Sequence, residues 1–403
     1  MQTANAAVRD VPAPLSDAAP AISRRGQIDS LRILAVVWVL FDHFWLTEGS
    51  GPMGRLSVRL FLLISGYLIT HILLRSRDAM EREKTPLRRV LTNFYVRRAL
   101  RIAPAYYLLI FLTWQWGAED FQASLPWHLT FQSSLLFAKT QSWGPPYQLA
   151  HLWTLSVQEQ FYLLWPAIVL LVRRGALGLW VAGIAATGPV FRLGMVLLGL
   201  DDTAGAYTLL PASATALCVG AAAAMLERKR AAPGWFAGPR PYWLIGAAAA
   251  FAVATLAGWP DQLHYLFLEF VWLVPLAALL LSASKGIEGP VGRLLDQPWL
   301  QYLGRISLGV YLYQNLALAA GRWLLDAAGL PTANGPAAFL ATTMFAIAFA
   351  LISWKLLEQP VNSWKRLFPY PWARKPGAKA EPLPAGRAKA WPGPLPDGAV
   401  RDL

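Results

Sequence analysis

A chain of 403 residues that is 56% hydrophobic and only 15% charged, with a mean hydropathy of +0.38 and 19 tryptophans, carries more apolar surface than one soluble core of that size can hide. Its composition is that of a bundle whose outside faces lipid. The net charge of +13 does not call for nucleic acid, because the basic residues are scattered among six segments and no recognisable nucleic-acid-binding motif holds them.

Residues 1–26 form an Ala/Pro-rich polar tail with no apolar core of its own, read as a disordered cytoplasmic tail without a secretory signal. After it, apolar runs of 15 to 22 residues with charged or Pro/Gly punctuation predict ten spans, near 31–46, 56–74, 102–117, 152–172, 177–198, 209–226, 242–258, 265–283, 306–325 and 336–356. With the N-terminus inside, the inner segments hold 30 of the 36 lysines and arginines. The positive-inside bias therefore places both termini in the cytoplasm. The fold class is all-α, a polytopic membrane protein with a transmembrane domain over 27–366. A second Pro/Gly/Ala-rich tail follows over 367–403, again read as disordered and cytoplasmic. The single cysteine, Cys218 in a small-residue helix, excludes an internal disulfide and reads as packing.

Polar residues inside these spans carry the functional signal. Arg32 and His43 stand eleven positions apart in the first span, almost three helical turns, so they share one face about 16 Å apart. An ionisable group inside a bilayer costs at least about 2.5 kcal/mol, which makes an intramembrane histidine a functional candidate; its bland alternative is a hydrogen bond across helices. Arg98 and Arg101, at the cytoplasmic start of the third span, read on their own as charge anchors that snorkel to headgroups.

Counting rise from the span edges puts His43 about 18 Å deep, near the midplane, with Arg32 at the inner rim. The same count puts Ser65 about 13 Å below the outer edge, Gln158 and Glu159 about 9 to 10 Å, and Gln314 and Asn315 about 12 to 14 Å in from the cytoplasm. Several spans thus converge on one central layer, which predicts a buried polar chamber. His71, near the inner end of its span, and His128 and His264, in or near outer loops, have no partner that the sequence names. There is no HExxH or Cys/His spacing, so no metal is expected, and neither a glycine-rich phosphate loop nor a Gly-x-Ser-x-Gly elbow is present. Residue chemistry alone leaves two classes open: group transfer, or a transporter or flippase for a small metabolite or lipid-linked glycan. The two halves show no internal symmetry that would favour the second.

IDSLRILAVVWVLFDHF resembles the first-span signature of the bacterial membrane-bound acyltransferases of the acyltransferase 3 family, an Arg, ten residues and a His, here Arg32 and His43. LFLLISGYLIT is similar to the family's Ser-Gly second span, FYVRRALRIAPAYY to its Arg-x-x-Arg start of the third, and HLWTLSVQEQFYLLWP to its Trp-Ser-Leu-x-Val-Glu segment. LGRISLGVYLYQN and LLEQP resemble its last two landmarks, and the likeness runs from about Gln27 to about Arg366. Two departures stand out: Gln158 is where the family usually has Glu, and Gln314 is where many members have a His.

The resemblance implies O-acylation of a sugar, glycolipid or secreted metabolite by a multi-pass enzyme of the bacterial inner membrane. Acyl-CoA, with acetyl-CoA expected, would be the co-substrate. His43 would be the general base and Gln158 its companion catalytic position. Arg32, Arg98 and Arg101 would hold the donor's phosphates, and Ser65, Glu159, Gln314 and Asn315 would contact the acceptor.

Overall fold

The computed structural model describes residues 26–46, 52–117, 121–144, 146–229 and 261–373. Among them there are helices and no strands. In chain order come α1 (Gly26–Phe44), α2 (Pro52–Glu83), α3 (Leu87–Gln115), two short helices α4 (Phe121–Leu129) and α5 (Ser133–Thr140), a 3-10 turn Tyr147–Leu152, and α6 (Trp153–Leu171). Then follow α7 (Leu177–Leu197), α8 (Ala204–Thr208), α9 (Leu210–Arg228), α10 (Asp261–Lys285), α11 (Gly289–Leu295), α12 (Pro298–Ala327) and α13 (Pro336–Ser353). A π turn Trp354–Glu358, α14 (Gln359–Ser363) and two 3-10 turns, Trp364–Leu367 and Pro371–Ala373, end the described chain. Nine of the expected spans appear as helices; the one at 242–258 lies outside the described residues, as do 1–25 and 374–403.

Long apolar runs explain the helices: in lipid a backbone must satisfy its own hydrogen bonds. Among the described residues five helices, α2, α7, α9, α10 and α13, are long and apolar enough to cross a membrane. Large side chains point outward without cover, Leu163, Leu179, Val190 and Leu197 among them, as a lipid-facing surface allows. At 32 residues α2 is about 48 Å long, more than a bilayer core needs. Its last turns turn ionic: Arg174 bridges Asp78 at 2.7 Å and Glu81 at 2.6 Å, and Arg228 pairs with Asp78.

α12 packs along α13, α2 along α9, and α1 lies between α12 and α2. The α2–α9 contact is close because both faces carry glycine. A Cβ at Gly66 would collide with the carbonyl oxygen of Leu217, and one at Gly220 with that of Leu63. Small residues at such a crossing let two backbones meet, which lipid-facing bulk would forbid.

Two boundaries differ from the sequence reading. The first helix starts at Gly26 rather than 31, because Gln27 and Ser30 are consumed by partners far along the chain: Gln27 Nε2 donates to the Ile287 carbonyl at 3.0 Å and Ser30 Oγ to that of Leu295 at 2.6 Å. At the other end, folded chain continues past 366 to Ala373, where the expected tail docks back. Asn93 Nδ2 donates to the Pro369 carbonyl at 2.6 Å, and Tyr370 is buried.

Candidate active site

Three arginines converge near the start of α1. Arg32 Nη1 lies 3.6 Å from Asp29 Oδ1, and its guanidinium stands 5.9 Å from the Phe61 ring centroid. Arg98 reaches across from α3 to Glu159 of α6, Nε to Oε1 at 3.9 Å, and stacks 3.9 Å from the Tyr162 ring. Arg101, buried one turn on, donates from Nη2 to the Arg305 carbonyl at 2.6 Å and faces Trp354 at 5.4 Å. Each of the three lies within Coulombic range of the other two. The Arg-x-x-Arg spacing puts Arg98 and Arg101 on one face of α3. Arg98 Nε and Glu159 Oε1 are both buried without a hydrogen bond, so only charge holds that pair.

Gln158 joins this group through Tyr162. Its Oε1 accepts from Ser65 Oγ and from the Tyr162 hydroxyl, each at 3.2 Å, while its Nε2 is buried with no partner. Ser65 is half-buried beside the close α2–α9 crossing, which fixes where it stands. The structure therefore brings Arg32, Arg98, Arg101, Ser65, Gln158 and Glu159 into one cluster.

His43 belongs to a second group. α1 is 19 residues, about 28 Å, and His43 is its penultimate residue, exposed at the end of the helix rather than near its middle. The expected midplane depth came from starting the span at 31, and the five earlier residues shift the count. Asn334 holds the carbonyl of His43 at 3.0 Å, and Gly335 N–H that of Phe44 at 2.9 Å, so the α12–α13 loop clamps the helix end.

Nearby is a histidine that the sequence reading passed over. His151 is buried, and its Nε2 must donate to the Leu312 carbonyl at 3.0 Å, leaving Nδ1 to accept from Asn315 Nδ2 at 3.1 Å. It lies within Coulombic range of His43. Asn315 also donates to the Tyr147 carbonyl at 3.0 Å. Gln314 is buried with Oε1 unpartnered. His71 faces Glu227 at 3.9 Å, while His128 Nδ1 meets Ser133 Oγ at 2.8 Å and lies, like His43, within Coulombic range of His151; His264 lies outside the side chains described.

Between the two groups runs the face of α1 that carries Arg32 and His43. Ala35, Val36 and Val39 of that face, with Ser57, Val58, Phe61, Thr154 and Tyr311, line a narrow cavity with room for about one water molecule. The single chamber expected from depth counting is thus two polar groups at opposite ends of one helix face, with an apolar constriction between them.

A family model described as an acyltransferase domain matches residues 25–355. Among known proteins, the peptidoglycan O-acetyltransferase OatA of Listeria monocytogenes is 33% identical over 36% of this chain and 24% of its own. YrhL of Bacillus subtilis, whose name proposes the same activity, is 27% identical over 71% of this chain and 47% of its own. Nodulation protein 10 of Rhizobium leguminosarum is 25% identical over 83% of this chain and 93% of its own. The chain therefore spans about half or less of the length of the first two. No solved structure matches it.

Proposed function

The chain belongs to the acyltransferase family matched over residues 25–355, and on that footing we propose that it moves an acyl group, acetyl in the first instance, from cytoplasmic acyl-CoA to a hydroxyl of a glycan, glycolipid or glycosylated metabolite. Its place is the bacterial inner membrane, crossed by about ten helices with both termini inside. A transporter or flippase, the other class that polar spans allow, gives way to the family.

The observation that carries the reading is the convergence of Arg32, Arg98 and Arg101 at one end of a helix face whose other end bears His43. Guanidinium groups grip phosphate oxygens in a planar, two-point way, so the cluster suits the donor's phosphates. The separation of about 16 Å between Arg32 and His43 is of the order of an extended pantetheine arm. The thioester can then reach the imidazole while the nucleotide stays at the arginines. The small side chains of Ala35 and Val39 lie on the line it would follow.

At the far end His43 takes the proton from the acceptor hydroxyl as its oxygen bonds to the thioester carbonyl carbon. The carbon–sulfur bond breaks, and His43 returns the proton to the departing thiolate. The step is balanced and needs no metal. Glu159 and Gln158 hold Arg98 and Tyr162 in place on the donor side, and Asn315 and Gln314 present amides on the acceptor side.

Purified protein supplied with acetyl-CoA and candidate glycans tests the reading. Thiol release matched one for one by new ester on the acceptor is the expected result. Thiol release with no ester on any hydroxylated acceptor, or no turnover at all, counts against it.

A further inference from the structure

Beyond α13 the chain doubles back beneath the start of α3 as a strap, Trp364–Ala373, pinned largely through its main chain. Arg97 donates from Nη1 to the carbonyls of Lys365 at 2.8 Å and Phe368 at 3.4 Å, and Asn93 holds Pro369. Arg97 also stacks 4.4 Å from Tyr370, and Arg75 lies 5.0 Å from Trp372. Carbonyl contacts of this kind fix a path for the backbone without using the side chains of the residues that carry those carbonyls, Lys365, Phe368 and Pro369.

One of those side chains is Lys365, half-buried, and the charges that act on it are Arg101, Arg97 and Arg98. Among the described residues no carboxylate forms an ion pair with it. The arginines of the candidate site each have an acid at hand, Asp29 for Arg32, Glu159 for Arg98 and Glu358 for Arg101. Among the described residues the charges that act on Lys365 are all cations. Packing a fourth positive charge against three others costs free energy unless an anion with several charges comes to rest among them.

We infer that the strap delivers Lys365 as a further contact for the donor's phosphates, so that Trp364–Ala373 forms part of the donor site at its cytoplasmic mouth. The inference rests on the acyl-CoA reading above. The ligand chemistry is a polyphosphate, as on a nucleotide carrying a 3′-phosphate and a pyrophosphate; an anionic lipid headgroup shares part of it. Arg97, engaged with the strap's carbonyls, is a positioning residue.

The test is binding to the full chain in nanodiscs of zwitterionic phosphatidylcholine, titrated with desulfo-coenzyme A, which cannot react. Lys365→Met should weaken binding about tenfold, the size of one charge-assisted contact. Lys365→Arg should restore most of it, and binding of uncharged S-acetylpantetheine should not change in either variant. Arg97→Ala, which frees the strap, should weaken desulfo-coenzyme A binding in the same direction. Tight binding by wild type that Lys365→Met leaves intact overturns the inference alone. No binding by wild type overturns the donor reading with it. If Lys365→Met instead alters only the retention of phosphatidylglycerol in mixed discs, Lys365 anchors a headgroup and the inference is likewise overturned.

Discussion

Exchanging Gln158 for glutamate asks what an amide does at the position where the sequence resemblance leads one to expect a carboxylate. Its oxygen accepts two hydroxyl hydrogens, from Ser65 and Tyr162, and a carboxylate would accept the same two. The second carboxylate oxygen would then replace the buried, unpartnered Nε2, close to Arg98 through the shared Tyr162 ring. Because hydrogen bonds alone account for the contacts seen, Gln158→Glu is expected to change the transfer rate by less than about threefold, under 1 kcal/mol of barrier. A gain of orders of magnitude would mean that the chain as it stands is impaired. His43→Ala should behave differently: with a folded, monodisperse protein, transfer should fall about 10²- to 10⁴-fold while desulfo-coenzyme A binding holds. Wild-type rates in that variant would remove His43 from the mechanism. The arginines and Gln158 were legible because charge and amide are rare in apolar runs. His151 was not, since it sits in a short 3-10 turn outside any periodic segment and its partners Leu312 and Asn315 are more than 160 residues away.

At the scale of elements, helix α1 is both a wall and a ruler. Arg32, Ala35, Val39 and His43 follow one another at three- and four-residue steps, so a single face runs from the cation cluster to the imidazole. Val39 and Ala35 line the constriction on that face with Phe61 and Tyr311. If an acyl arm passes there, Val39→Phe should lower kcat for acetyl transfer by about tenfold or more, with desulfo-coenzyme A affinity unchanged. Val39→Ala should in turn admit longer acyl chains, read as a higher propionyl-to-acetyl ratio of kcat/KM. Equal rates in all three proteins would send the arm elsewhere. Helix positions came readily from apolar runs, whereas the ends did not. Gln27 and Ser30 fall before the expected span at 31–46, yet they are helical because the chain over α10–α12 supplies them with carbonyls and a carboxylate. The strap was hidden for the same reason: Pro369 to Trp372 have no period, and what folds them is Asn93, Arg97 and Arg75.

For the molecule as a whole, orientation decides whether the proposed chemistry is possible at all. Acyl-CoA is a cytoplasmic compound, so the proposed reaction needs the arginine end to face inward, the orientation expected from the 30 of 36 basic residues in the inner segments. Cys218 is fully buried and is the one cysteine in the chain, which leaves a silent background for labelling. Lys139 in α5 and Arg88 in α3 are both exposed and fall on opposite sides in the expected topology. In intact spheroplasts an impermeant maleimide should label Lys139→Cys at once and reach Arg88→Cys only after lysis. The reverse pattern would turn the arginine cluster away from the only pool of donor and put His43 on the cytoplasmic side. It would then exclude delivery of an acyl group to an acceptor outside, whatever His43 and Gln158 can do.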